Sequence, residues 1–297
     1  MKIVRKNSGK NHWYVDADTG ERVPGVTTIL DQGLPKKALI NWSANATAEY
    51  AVDHWDDLTA LAPSARLTKL KGGRYAAKDE AANRGTQVHK LGERLMHGEQ
   101  VVVPDLLRPY VDSYVRFMDE FQLRARYVEA LVYSERHRYC GTLDIFGAIL
   151  LPDMPEYDHL PRDDEGYVCN ALIDAKTNRS GIFGETALQL AGYRFADYMQ
   201  PDPTDPDSAF DMPPVAFTGA VWIRPDGYSL IPVVAEDEQH RQFLYAQQVG
   251  IFDQGARELI GEAIEPPTAS RYRLATVDWD EPVPTGPLGA APAGALL

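Results

Sequence analysis

The sequence predicts an α/β protein in which helices flank a mixed central β-sheet. Three observations support this fold class: a mostly helical first part, three apolar strand-like segments between residues 127 and 176, and a later alternation of helices with further strands. With 297 residues, the chain can bury a full-sized core and is long enough for one elaborated domain or two small ones.

The N-terminal third combines a small β-ribbon with helices. Residues 12–30 predict the ribbon, and helical patterns follow at 37–52, 75–97 and 104–122. Pro63 interrupts the pattern between the first two helices. The last helix has an apolar stripe formed by Leu106, Leu107, Tyr110, Tyr114, Phe117, Met118 and Phe121.

The middle of the chain is rich in strand-forming residues. Residues 127–134 and 139–150 predict two strands joined by a short polar turn, and residues 168–176 predict a third. An acidic, proline-containing loop at 152–166 separates the second strand from the third. In the last third of the chain, residues 183–199 predict a helix and residues 201–214 a loop. Residues 215–234 predict a hairpin, residues 237–261 a polar helix, and the residues from 282 onward a disordered tail.

The net charge of −13 argues against nonspecific binding of nucleic acid over the whole surface. The charge is unevenly distributed, because the first hundred residues have a slight excess of basic side chains and the rest are strongly acidic. One basic stretch predicts either a polyanion-binding surface or a solvated helix face of mixed charge. Its basic residues are Arg66, Lys69, Lys71, Arg74, Lys78, Arg84, Lys90 and Arg94.

The compartment follows from hydrophobicity and cysteine content. No apolar run approaches the roughly 20 residues of a membrane span, and the N-terminus lacks the apolar core of a signal peptide. We therefore expect a cytoplasmic protein with no membrane partner. Cys140 and Cys169 lie in or beside predicted core strands, which favours reduced, buried thiols. Two cysteines cannot build a four-thiolate zinc or iron–sulfur site.

An acidic and a basic residue stand two apart at the end of the third predicted strand. Because strand side chains alternate, Asp174 and Lys176 point to one face while Ile173 and Ala175 point to the other. A carboxylate and an ammonium buried there are costly unless they pair with each other, bind a metal or act on a substrate. A strand-end salt bridge is the simplest interpretation of the pair alone.

Other carboxylates change that interpretation. Asp144 is isolated in the apolar second strand, and it converges with Asp174 if the second and third strands are neighbours. Two such carboxylates favour a hard divalent cation, Mg²⁺ or Mn²⁺, with Lys176 close enough to stabilise charge on a phosphate. Glu129 on the preceding strand is either a third carboxylate of this site or an exposed strand residue.

Two helices supply further candidate residues. Gln189 and Tyr193 are spaced i, i+4 and share a helix face, which suits either a functional site or helix packing. His89 lies within a predicted helix, where a lone histidine is more often structural than a ligand.

Together these residues resemble the RecB-like branch of the PD-(D/E)XK nuclease superfamily, which includes CRISPR-associated RecB-like exonucleases and phage recombination exonucleases. Gly85-Thr86-Gln87-Val88-His89 is similar to the helical histidine motif, Gly141-Thr142-Leu143-Asp144 to Gly-x-x-Asp, Ile173-Asp174-Ala175-Lys176 to Asp-x-Lys, and Gln189-Leu190-Ala191-Gly192-Tyr193 to Gln-x-x-x-Tyr. The motifs cover residues 85–193, and residues 26–30 and 42–44 also look like the N-terminal region of phage-encoded members.

The resemblance implies a restriction-endonuclease-like core and a metal site held by His89, Asp144, Asp174 and the backbone carbonyl of Ala175. It implies that Lys176 is the catalytic ammonium. Gln189 and Tyr193 would position the motif and the nucleic-acid backbone. The sequence departs from the family in the long gap between Asp144 and Asp174, which we assign to the loop at 152–166, and in lacking cluster-binding cysteines, so no iron–sulfur cluster is expected.

The implied organisation has three parts. Residues 1–100 would form the ribbon and helical region with the motif histidine, 101–265 the nuclease core, and 266–297 a C-terminal extension that is partly disordered.

The resemblance favours a metal-dependent DNA exonuclease, phage-encoded and active in recombination, repair or replication in the host cytoplasm. Its partners would be DNA ends and a phage single-strand annealing or recombination protein. The alternatives are a structure-specific endonuclease, an RNase, a catalytically inactive nuclease-fold protein that binds DNA or a partner, and a structural or metabolic protein in which Asp174 and Lys176 form only a salt bridge.

Overall fold

A computed structural model describes residues 1–8, 11–178 and 180–264 of the chain. Some side chains within these ranges lie outside the description, among them those of Arg74, Lys78 and Cys169. The predicted tail beyond residue 282 also lies outside the described residues. Met1–Arg257 form one compact unit, and Glu258–Leu297 form a second, whose described residues, 258–264, are exposed.

The helices of the first unit are α1 (Val26–Gly33), α2 (Lys37–Asp53), α3 (Trp55–Thr59), α4 (Pro63–Met96), α5 (Arg108–Glu120), α6 (Glu185–Arg194) and α7 (Asp237–Gly255). Its strands are β1 (Ile3–Ser8), β2 (Asn11–Asp16), β3 (Arg22–Val23), β4 (Arg124–Val128), β5 (Leu131–Ser134), β6 (Tyr139–Thr142), β7 (Ile145–Leu150), β8 (Tyr167–Lys176), β9 (Tyr198–Gln200), β10 (Phe210–Asp211), β11 (Phe217–Arg224) and β12 (Gly227–Pro232). Among the described residues, no helix combines the length and hydrophobicity that a membrane span requires.

The central element is a five-stranded sheet of mixed orientation, in the order β12-β11-β8-β7-β4. Strands β8 and β11 are parallel, whereas the other neighbouring pairs are antiparallel. This sheet confirms the predicted α/β class with a mixed sheet. The pairing of β7 with β8 meets the condition under which Asp144 and Asp174 were expected to converge.

The prediction of a single sheet is wrong. Residues 127–134 divide between β4 and β5, and residues 139–150 divide between β6 and β7, because the chain crosses from one sheet to another within each predicted strand. A second sheet has the order β10-β9-β5-β6, and β1, β2 and β3 form a third. Glu129 lies at the first crossing with a φ of 54°, so it is not part of a strand.

The N-terminal third differs from its prediction in two places. The ribbon includes β1, which the pattern at residues 12–30 missed, and it ends before Val26, where α1 begins. Val26, Ile29 and Leu30 are buried at i, i+3 and i+4, so burial of one face favours a helix. The second predicted helix begins at Pro63 rather than at residue 75. The proline, which was expected to interrupt the helical pattern, lies in the first turn, where a helix accommodates it readily.

Two later boundaries are also corrected. The helix predicted at 183–199 ends at Arg194, since the next residues form β9 beside β5. The helix predicted at 237–261 ends at Gly255 and continues as a short 3-10 helix, Ala256–Leu259. The predicted hairpin is confirmed as the β11–β12 pair.

Helices cover both faces of the central sheet. The alternation of β8 places Leu172 in an apolar cluster with α1, α6 and α7, and it places Ile173 in a second cluster with α4 and α5. The first face also includes Asp174 and Lys176, which share the side of Leu172. Cys140 is a buried free thiol, as predicted.

The close packing of α4 against α5 gives a test of the fold. A Cβ atom at Gly92 would overlap the ring of Tyr114, whereas one at Gly72, in the same helix, would meet nothing within 4 Å. We expect Gly92→Ala to lower the free energy of unfolding by about 1–3 kcal/mol through overpacking. Gly72→Ala should raise it by up to about 1 kcal/mol through helix propensity. Urea unfolding of both variants measures these changes, and equal effects would contradict the packing.

Candidate metal centre

Three carboxylates meet at one end of the strands of the central sheet because of strand register. Ile145 pairs with Ile173 in the antiparallel β7–β8 pair, so Asp144, directly before β7, lies beside Asp174. Val128 pairs with Ile145, which places Glu129 on the other side of Asp144. The backbone N–H of Glu129 donates to the carbonyl of Asp144 at 3.0 Å and fixes this arrangement.

Helix α4 brings His89 to the same end of the sheet. Gly85 precedes His89 by one helical turn, and a Cβ atom there would lie only 2.8 Å from the Thr177 hydroxyl oxygen just after β8. The missing side chain therefore allows the helix to approach the end of the strand. His89 Nε2 lies 3.2 Å from Asp144 Oδ2.

Helix α6 contributes Gln189 and Tyr193. Gln189 Nε2 donates to Asp174 Oδ1 at 2.8 Å and lies 3.2 Å from the Tyr193 hydroxyl, which it can also reach as a donor. A Cβ atom at Gly141 would come within 2.6 Å of the Tyr193 ring. The glycine of the Gly-x-x-Asp segment thus leaves space for the tyrosine of the Gln-x-x-x-Tyr segment.

Asp174 and Lys176 form an ion pair. Lys176 Nζ lies 2.8 Å from Asp174 Oδ1 and 2.6 Å from Oδ2, and it donates to Gln189 Oε1 at 3.2 Å. Asp174 is 1% exposed, and its Oδ2 has no hydrogen bond of acceptable geometry among the described residues, despite the nearby ammonium. The strand-end salt bridge considered for the sequence is therefore present, within a larger cluster of polar groups.

Asp144 connects the cluster to the backbone of β8. Its Oδ2 accepts a hydrogen bond of 2.7 Å from the N–H of Ala175. The resemblance implied a role for the Ala175 carbonyl, whereas this contact is made by the amide. The carboxylate therefore contacts both the strand and the helical histidine.

His89, Glu129 and Asp144 form a potential metal-binding group. One ligand atom from each lies within 4.8 Å of the others, and all three residues are half-buried. An imidazole and two carboxylates suit Mn²⁺ and leave room for the waters that Mg²⁺ retains, so these residues fit the implied cation. Asp174, predicted as a ligand, lies outside this group and is ion-paired with Lys176.

The charges of the cluster separate the pKa values of its members. The negative charge of Asp144 is the main cause that raises the pKa of His89 to about 9. Burial alone would raise the pKa of Asp144, but the charges of His89 and Lys176, with hydrogen bonds from His89 and Ala175, hold it below its usual value. Asp144 is therefore ionised.

The two other acids respond mainly to burial. Burial raises the pKa of Glu129 to about 7, and the charge of Asp144 adds to the increase. Burial also raises the pKa of Asp174 to about 6, although Lys176 opposes the shift. Because a metal binds neutral imidazole and ionised carboxylates, a cation would have to displace the proton of His89 and would relieve the cost of charging Glu129.

A cavity of about 240 Å³ contains all the predicted site residues. It is lined by Arg5, His12, Tyr14, Thr27, His89, Glu129, Gly141, Thr142, Asp144, Asp174, Ala175, Lys176, Gln189 and Tyr193. The sequence did not predict Arg5, His12, Tyr14 or Thr27, because only the tertiary packing of β1, β2 and α1 brings them to this end of the sheet. Tyr14 is anchored by a 2.8 Å hydrogen bond between its hydroxyl and that of Thr142.

The basic stretch of α4 is less uniform than its sequence suggests. Arg66 donates hydrogen bonds to the carbonyls near the end of α3, and Arg94 is ion-paired with Glu99. Lys69, Lys71 and Lys90 are exposed. The side chains of Arg74 and Lys78, also predicted to be basic contacts, lie outside the described residues.

Comparison of the sequence with protein-family models finds no match, and comparison with curated proteins finds none of significant similarity.

The raised pKa of His89 provides a test of the cluster. In Asp144→Asn, the residue keeps its shape but loses the charge that favours the imidazolium. We expect NMR titration to show the pKa of His89 falling from about 9 towards its ordinary value. His89→Gln assigns the resonance, and Asp158→Asn, in an exposed loop, is the matched control. An unchanged pKa in Asp144→Asn would contradict the pairing.

Proposed function

We propose that the protein is a metal-dependent DNA exonuclease with a PD-(D/E)XK core of the RecB-like type. The observation that supports this most strongly is convergence. Four sequence motifs that are well separated along the chain contribute side chains to one cavity, namely His89, Asp144, Asp174 with Lys176, and Gln189 with Tyr193. A protein in which Asp174 and Lys176 form only a salt bridge has no need for the other residues there.

In this proposal, His89, Glu129 and Asp144 hold Mg²⁺ or Mn²⁺. Such a cation supplies Lewis acidity towards phosphate oxygens and lowers the pKa of water. Asp144 accepts the Ala175 amide, which keeps its carboxylate directed at the cluster. The raised pKa of Glu129 makes it the acid of the group that changes protonation most readily near neutral pH.

Lys176 is the residue that contacts the scissile phosphate. Its ammonium lies in the cavity, where burial strengthens its attraction to developing negative charge. Asp174 and Gln189 orient the ammonium through the contacts of 2.6–3.2 Å described above. Tyr193 in turn contacts Gln189, so that α6 positions Lys176.

DNA would approach along α4. Lys69, Lys71 and Lys90 are exposed on the helix that also carries His89, and they offer contacts for phosphates in a chain that is otherwise acidic. The proposal places the protein in phage DNA recombination, repair or replication in the host cytoplasm, with an annealing or recombination protein as its partner.

The direct test is degradation of end-labelled single- and double-stranded DNA with Mg²⁺ or Mn²⁺. We expect metal-dependent cleavage in the wild type and a loss of at least about 100-fold in kcat for Asp174→Ala and Lys176→Ala, because each removes a group that stabilises charge at the phosphate. Circular DNA should resist degradation if an end is required.

Controls make this result specific. Lys2→Ala and Asp158→Asn remove exposed charges of the same types and should leave cleavage unchanged. Thermal unfolding must show that the inactive variants are folded. Full activity in Asp174→Ala would refute the site, cleavage of circular DNA would favour an endonuclease, and an inactive wild type that binds DNA would favour a noncatalytic binding protein.

A further inference from the structure

A tryptophan on β11 lies next to the proposed catalytic cluster at this end of the sheet. In the parallel β8–β11 pair, Ala220 lies opposite Asp174 and Trp222 lies opposite Lys176. Residues opposite each other in adjacent strands share a face of the sheet, and such strands are about 4.8 Å apart. Trp222 therefore neighbours Lys176 on the face that carries the cluster.

The indole is held at its edge. Its Nε1–H donates to the carbonyl of Asn178 at 2.8 Å, in the loop that follows β8. A Cβ atom at Gly181 would lie 3.9 Å from the outer ring carbon Cη2. The hydrogen bond restrains the ring through its rim rather than through its two flat faces.

Arg224 covers one of those faces. Its guanidinium lies 4.2 Å from the centre of the Trp222 ring, and Nη1 donates to the Ser229 hydroxyl at 3.2 Å. Its carboxylate neighbour, Asp226, is 3.4 Å away with a side chain that is 80% exposed, so the pair is weak and screened. The guanidinium is held in position while its charge is only weakly neutralised.

Core packing does not account for this pair. Among the described residues, Trp222 packs into none of the three apolar clusters. The bond to Asn178 explains why an indole anchors the loop, but it does not require a guanidinium on the ring. Phe183, in the same loop, is a second aromatic side chain and is 45% exposed.

A stacked indole and guanidinium beside a phosphate-handling lysine match the chemistry of a nucleotide. Aromatic faces stack on unpaired bases, and arginine binds phosphate with several donors in one plane. We propose that Trp222 and Arg224 form a subsite for the nucleotide next to the scissile phosphate. The indole stacks on its base, and Arg224 binds its phosphate.

This proposal rests on the proposed nuclease function and specifies its substrate class. A base must leave the double helix to stack on Trp222, so the subsite selects single-stranded DNA or an unpaired end over a closed duplex. Arg224 adds a phosphate contact that is independent of base sequence.

The test measures binding separately from cleavage. Ca²⁺ replaces Mg²⁺ to suppress hydrolysis, and the fluorescence anisotropy of a dye-labelled short oligothymidylate or closed DNA hairpin reports binding without using the protein's own tryptophans. We expect Trp222→Leu to raise the Kd for the oligothymidylate by about tenfold, with a smaller change for the hairpin. Trp222→Phe keeps an aromatic face without the N–H, and it should retain most of the affinity.

Two further variants complete the experiment. Arg224→Gln should reduce the slope of log Kd against the logarithm of the salt concentration by about 1, which corresponds to the loss of one phosphate contact. Trp55→Leu, which changes an exposed tryptophan of α3, should leave the Kd unchanged. Where Trp222→Leu unfolds, as judged by circular dichroism, Arg224→Gln decides the question, because an unchanged salt dependence in that variant would refute the subsite.

The outcomes separate this subsite from the nuclease function. Cleavage that persists with an unchanged Kd in Trp222→Leu would refute the subsite alone. A tenfold weaker Kd in Trp222→Leu without cleavage by the wild type would support the subsite and refute hydrolysis. Equal losses in Trp222→Phe and Trp222→Leu would show that the indole only anchors the loop, and a wild type that binds no DNA would refute both proposals.

Discussion

The candidate site depends on the interactions of the Asp144 carboxylate with the backbone of β8 and with His89. The carboxylate accepts the amide of Ala175 from β8 and lies 3.2 Å from the imidazole of His89 on α4. Its own backbone carbonyl accepts the amide of Glu129. One residue thus connects a strand, a helix and the crossing between two sheets, and removal of its charge leaves the partners of a buried anion unpaired.

Burial then gives neighbouring acids different properties. Asp144 is held ionised by cations and hydrogen-bond donors, whereas burial raises the pKa of Glu129 and of Asp174. Similar carboxyl groups with separated pKa values are typical of catalytic and metal sites. The same environment explains why Asp174 pairs with Lys176, because a buried carboxylate without a cation is costly.

Small residues and backbone geometry allow the elements to meet. Gly85 lets α4 approach the end of β8, and Gly141 leaves space for the ring of Tyr193. Glu129 has a positive φ, which is uncommon for a residue with a side chain and costs conformational energy. The crossing that imposes this geometry also directs Glu129 towards His89 and Asp144.

The sequence alone predicted the α/β class, the mixed sheet and the candidate residues His89, Asp144, Asp174, Lys176, Gln189 and Tyr193, because periodicity and local motifs are written in adjacent residues. Only the tertiary structure decided that β7 pairs with β8, that two predicted strands divide between sheets, and that Glu129 lies within 4.8 Å of His89 and Asp144. It also placed Arg5 in the cavity and Trp222 beside Lys176. These outcomes depend on register and on packing between distant segments, which local patterns do not encode.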